Sequence, residues 1–138
     1  MILQVGVKAF LRNSEGKYLL LKRNVNTYPS TKGVWDIVGG RIEPGSGLID
    51  NLKREIHEET QLNVVGNPLL LFAQDIILDE GRHIVRLTYC AECSGDVVLD
   101  RSEHTEYKWM DLHEIKLLND LDIYTKEIID TNILYEKQ

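Results

Sequence analysis

The chain has 138 residues, 43% of them hydrophobic and 28% charged, with a formal net charge of −6. That length closes a hydrophobic core without disulfides or structural metal, and the balance is not that of a disordered chain. The acidic charge argues against broad sequence-independent nucleic-acid binding but leaves a nucleotide substrate open, because a divalent cation can stand between carboxylates and phosphate.

The apolar start of the chain is short and interrupted by Gln4 and Lys8. It reads as a strand, not as a signal peptide or membrane span. Residues 2–11 and 17–22 are expected to form two strands joined through the hairpin turn Asn13-Ser14-Glu15-Gly16. A polar, proline-containing loop follows, then a short strand over residues 34–38 that Gly39-Gly40 should break. Residues 41–47, with Pro44, Gly45 and Gly47, read as a tight loop.

A helix is expected over residues 48–60, with Ser46 placed to cap it and Ile49, Leu52 and Ile56 on its buried side. Strands should follow at 69–77 and 84–92. In the second, Val85, Leu87, Tyr89 and Ala91 alternate with Arg86, Thr88 and Glu92. Shorter strands are expected at 97–99 and 107–110, and an amphipathic helix over 121–134 with Ile123, Ile128 and Ile129 inward. Cys90 and Cys93 form a lone C-x-x-C whose odd spacing turns the two thiols to opposite faces of a strand. No second pair completes a zinc site. Without repeats or linker-like stretches, residues 1–138 read as one domain, a mixed α/β sheet covered by helices, with the reducing cytoplasm as the default location.

The segment GRIEPGSGLIDNLKREIHEETQL, residues 40–62, carries the chemistry. At about 100° per residue, Glu55, Glu58 and Glu59 share one narrow helix sector beside the apolar Leu52 and Ile56. Three carboxylates held that close repel one another unless a cation intervenes, and hard oxygen donors suit Mg²⁺ or Mn²⁺. An acidic helix face on its own is more often merely solvated; the glycine-rich approach makes the difference.

Gly40, Arg54, Glu55, Ile56, Glu58, Glu59 and Leu62, approached by Gly39, Glu43 and Gly45, resemble the Nudix hydrolase signature at its offsets. The resemblance implies an α/β/α sandwich with a mixed sheet and a loop–helix–loop catalytic box. It also implies hydrolysis of a diphosphate linkage in a nucleoside diphosphate joined to another group, with Mg²⁺ or Mn²⁺. By the same resemblance, Glu55, Glu58, Glu59 and the Gly39 carbonyl are metal ligands. Glu58, Glu59 and Arg54 are catalytic, with Arg54 orienting the glutamates, and Arg23, Gly40 and Arg41 meet the substrate. Members often add a carboxylate from a later loop; here Glu106 is the first choice and Glu103 the second, against the reading that both are ordinary loop charges.

Ser46 stands where the signature has Glu, Gln61 where it has Gly, and Val38 where many members have proline. Serine carries no charge, so metal affinity or activity is put in question, and Glu43 is a candidate to compensate. His104 reads as a loop polar residue, and His57 as facing away from the cluster. Arg23 reads equally as a phosphate contact or a solvated strand end, Tyr28 as a loop aromatic before a base-stacking one, and Trp35 and Trp109 as core residues before base-stacking ones. A nucleotide-binding module with weakened turnover is the main alternative to an enzyme, and an isopentenyl-diphosphate isomerase ranks below both. The nucleotide is not specified, and monomer and homodimer both stay open.

Overall fold

The computed structural model describes residues 1–27 and 32–134, so Tyr28 lies outside the described residues. The chain runs β1 (Ile2–Arg12), β2 (Tyr18–Arg23), β3 (Trp35–Asp36), β4 (Val38–Arg41), α1 (Leu48–Thr60), β5 (Asn63–Leu78), β6 (Arg82–Ser94), β7 (His104–Met110), α2 (Leu112–Lys116) and α3 (Ile123–Asp130). β1 is the hub of the sheet, pairing in parallel with β6 and antiparallel with β4. Beyond β6 lies the long antiparallel partner β5.

Residue alternation along β1 explains the layers. Val7, Ala9 and Leu11 point to one core, which Leu52 and Ile56 of α1 close together with Tyr89 and Ala91 of β6. Phe10 points to the opposite core, which Ile128 and Ile129 of α3 and Ile115 of α2 close together with Tyr18 and Trp35. Full burial of a Leu or Ile side chain is worth about 1.5–3 kcal/mol, so the Leu52–Ile56 pair alone accounts for much of the docking of α1. The thiols obey the same alternation: Cys90 packs against the α3-side core and Cys93 against the α1-side core.

Several expectations need correction. The turn at Asn13 forms, its side chain accepting from the Glu15 and Lys17 backbones, but strand pairing across it is confined to Arg12 and Tyr18. Both edges of β1 are occupied by β6 and β4, so β2 leaves to pair with β7 and β3. Gly39 and Gly40 do not end a strand; they lie within β4, opposite Lys8 and Val7. Residues 97–99 form no strand, although the Val98 N–H donates to the Thr60 carbonyl. The final helix is the shorter α3, with Ile123 exposed. α2 was not foreseen, although Asp111 and Glu114 form a complete capping box that the sequence displays. Trp35 is buried, and Trp109 packs in part against the α1-side core.

α1 spans the expected residues but begins at Gly47 as N-cap, with no side-chain cap; Ser46 does not fill that role. At its other end Gln61 adopts the left-handed conformation, φ 58°, and its N–H bonds the His57 carbonyl. A residue with a Cβ is disfavoured there by about 1–2 kcal/mol, while glycine carries a larger unfolded-state entropy. Gln61→Gly is therefore expected to stabilise the fold by about 0.5–1 kcal/mol, read as a rise in the denaturation midpoint with an unchanged denaturant slope.

Candidate active site

The acidic face of α1 divides into two halves. On one, the Arg54 guanidinium donates to Glu55 at 3.0 Å and to Glu58 at 3.3 Å, and stands 3.9 Å from the Glu43 carboxylate. This is the bracing expected of Arg54, with Glu43 close enough to share in it. Its second nitrogen donates to Asn51 Oδ1 at 3.0 Å. Asn51 in turn accepts from the Glu43 N–H and donates to the Ser46 and Gly47 carbonyls. Asn51 thus ties the box loop to the helix. Sequence reasoning missed it, although 51, 54, 55 and 58 follow the i, i+3, i+4, i+7 spacing of one helix face.

On the other half, Glu59 is buried and accepts from the Gly39 N–H at 3.0 Å. Burial pushes its carboxyl up to about 8, and the neighbouring Glu103 and Glu55 add to the rise while Lys8 and the Gly39 N–H oppose it. Glu55 is raised too, first by burial, then by Glu58 and Glu103 against the pull of Arg54. Donor atoms of Glu59, Glu103 and His104 all lie within 4.8 Å of one another. Glu58 is the most exposed of the three box glutamates.

The later-loop carboxylate gathered here is therefore Glu103, the second choice. Glu106 sits on β7 opposite Lys22 and pairs with it at 3.5 Å, its side chain half exposed. The reason is a register shift between Lys22 and Arg23, after which His104 rather than Thr105 faces Arg23. His104 is accordingly not a loop residue but the buried start of β7, its Nδ1 3.8 Å from Glu59 Oε1. Burial, assisted by Lys8 and Arg23, lowers its pKa to about 4, so the ring is neutral near pH 7. His57 is exposed, as expected.

Next to this cluster a cleft of about 390 Å³ opens along Gly39, Gly40 and Arg41. Lys8, Arg23 and Arg86 line it and converge on two buried carboxylates. Asp36 receives Lys8 at 2.9 Å, Arg23 at 2.8 Å and the Thr125 hydroxyl at 2.5 Å. Asp122, the N-cap of α3, receives Arg23 at 3.1 Å and Arg86 at 3.2 Å. Burial opposes the Asp36 charge, but Lys8, Arg86 and Arg23 hold its carboxyl well below the usual range. Three cations face two carboxylates, so the network keeps one positive charge at the cleft wall. Arg23 is thus no solvated strand end. The sequence pattern hides both partners: Asp122 falls inside the helix expected over 121–134 but is the N-cap of α3, and Arg86 falls on the polar face of an alternating strand but is buried.

The NUDIX domain model matches residues 2–131 of the chain. The chain belongs to the Nudix family. It is 29% identical over 109 residues to the uncharacterized Nudix hydrolase YvcI of Bacillus subtilis, covering 76% of this chain and just under two thirds, 65%, of that one. It is 29% identical over 136 residues to the nucleoside triphosphatase NudI of Salmonella typhimurium, covering 86% and 89%. The structure of a MutT protein from Methanosarcina mazei superimposes with a TM-score of 0.79 at 28% identity, covering 94% and 92%. A MutT Nudix hydrolase from Burkholderia pseudomallei gives 0.80 at 24%, covering 96% and 99%. Family and fold make this a MutT-like Nudix hydrolase acting on phosphoric anhydride bonds.

The buried carboxyl sets a pH signature for this Nudix protein. Because the folded state holds the Glu59 proton up to about pH 8, against 4.5 for an ordinary glutamate, Glu59 costs stability increasingly as pH rises through that window. His104 has the opposite sense, a lowered pKa whose stabilisation is lost as pH falls from 6.5 towards 4. Thermal unfolding in chelator between pH 6.5 and 8.5 isolates the first effect. Tm of Glu59→Gln is expected to gain steadily on the parent as pH rises, and a constant difference would contradict the burial account.

Proposed function

We propose that the protein is a divalent-metal-dependent nucleotide pyrophosphohydrolase, cleaving a diphosphate linkage in a nucleoside triphosphate or another nucleoside diphosphate derivative. The observation that carries this reading is the meeting of two opposite fields at β4. Glu59 and Glu55 pack against Gly39 and Gly40 with Glu103 beside them, and the same backbone lines a cleft with the cations Lys8, Arg23 and Arg86. A small nucleotide is the partner such a cleft would take, and the likeness to a nucleoside triphosphatase favours a triphosphate.

The donor set fits a hard divalent cation. Mutually repelling carboxylates, one of them buried enough to hold its proton to about pH 8, are an arrangement that added positive charge would relieve. Glu55, Glu58 and Glu59 would hold Mg²⁺ or Mn²⁺, with the Gly39 carbonyl as a further oxygen donor. When bound, the metal neutralises phosphate charge and lowers the pKa of coordinated water. Arg54 fixes the Glu55 and Glu58 carboxylates, and Arg23, Gly40 and Arg41 line the path of the phosphates. Glu103, held beside Glu55 and Glu59, is placed to accept the proton of an attacking water. Glu106 is not, because Lys22 engages it on the outer edge of β7.

The weakened binding module rests on Ser46 alone. Against it, Arg54 keeps three carboxylates within 4 Å without a glutamate at that position. No helix among the described residues is long and apolar enough to cross a membrane, and we assign the protein to the cytoplasm.

Product-resolved assays on a nucleotide panel with Mg²⁺ or Mn²⁺ test the proposal. Turnover should vanish in chelator, and Glu58→Gln should lower it by ~10²-fold while leaving the fold intact. Near-normal turnover in that variant refutes the metal assignment. Glu103→Gln should lower kcat by ~10²-fold with Glu106→Gln close to the parent, and the reverse ranking returns the role to Glu106.

A further inference from the structure

The imidazole beside Glu59 adds a donor that carboxylate chemistry alone does not explain. His104 is only 7% exposed, and its Nδ1 has no hydrogen-bond partner among the described residues. A buried ring nitrogen left unbonded is destabilising unless something satisfies it. Glu59 Oε1, at 3.8 Å, is too far to do so. The other Glu59 oxygen is already engaged by the Gly39 N–H. Two donors bound to one ion at about 2.1 Å stand about 3 to 4.2 Å apart, a range that includes the Glu59–His104 separation. Glu103 lies within 4.8 Å of both, so the group is a small movement from sharing one ion.

We infer that His104 is a nitrogen ligand in a metal position shared with Glu59 and one oxygen of Glu103, whose other oxygen keeps the role of base, and that this position takes Mn²⁺ or a later transition ion in preference to Mg²⁺. The inference rests on the metal-dependent reading and gives it a selectivity. Mg²⁺ strongly prefers oxygen donors and gives up water reluctantly, whereas imidazole strengthens binding along the series from Mn²⁺ to Zn²⁺. A neutral ring suits the position, because a second positive group would repel the ion.

Pulsed EPR of Mn²⁺ bound to the metal-free protein reads the contact directly. Nitrogen-14 modulation of the strength of a bound imidazole is expected, converting to the nitrogen-15 pattern when histidine is isotopically labelled. The coupling should disappear in His104→Gln and persist when His57, His83 and His113 are replaced together. The triple-variant and isotope readings do not depend on the buried variant folding. By titration, His104→Gln should weaken Mn²⁺ about tenfold and Mg²⁺ less than about twofold. Bound Mn²⁺ without nitrogen coupling, or coupling lost in the triple variant, overturns the role of His104 and leaves the hydrolase reading standing. A protein that binds Mg²⁺ but no Mn²⁺ overturns the role of His104 alone, and one that binds neither overturns both.

Discussion

The site depends on two residues having no side chain. A Cβ at Gly39 would stand 2.1 Å from the Val7 carbonyl oxygen, and its φ of 147° disfavours any other residue. A Cβ at Gly40 would stand 2.6 Å from the Glu55 carboxyl carbon. Their absence lets β4 lie against β1 on one side and receive the acidic face of α1 on the other. The Gly39 N–H then reaches Glu59. Because these glycines also line the cleft, the acidic cluster and the cationic wall meet at a single stretch of backbone. A larger residue at either position would push the acidic cluster and the cationic wall apart.

The network around Asp36 and Asp122 gives that backbone its rigid setting. It joins β1 through Lys8, β2 through Arg23, β6 through Arg86 and α3 through Asp122 and Thr125. Buried ion pairs add little net stability, but removing one partner leaves an uncompensated charge and costs about 3–5 kcal/mol. The network therefore acts more as a specification of geometry than as a source of stability. Its surplus cation also places positive potential inside a protein whose net charge is −6, where local field rather than net charge governs an anionic ligand.

With Ser46 in the box loop, the position of Arg54 is left to other side chains. Arg54 is held by Glu43, Glu55 and Glu58 and by Asn51, which also pins the loop carbonyls of Ser46 and Gly47. The orientation of the arginine is thus distributed over several contacts. Loop geometry rests on an amide rather than on a helix cap at residue 46.

Features set by neighbours along the chain were legible in the sequence. The span of α1, the shared face of Glu55, Glu58 and Glu59, the bracing by Arg54 and the opposite facing of Cys90 and Cys93 follow from helical and strand periodicity, which tertiary contacts leave unchanged. Features set by pairing between distant segments were not. That β1 takes β6 and β4 as neighbours while β2 turns away, and that Glu103 and His104 rather than Glu106 reach Glu59, depend on strand register and on one irregularity at Lys22–Arg23. A one-residue slip sends alternate side chains to the opposite face of a sheet. The order of residues 103–106 therefore does not say which of them turns inward; only the folded pairing of β2 with β7 decides that.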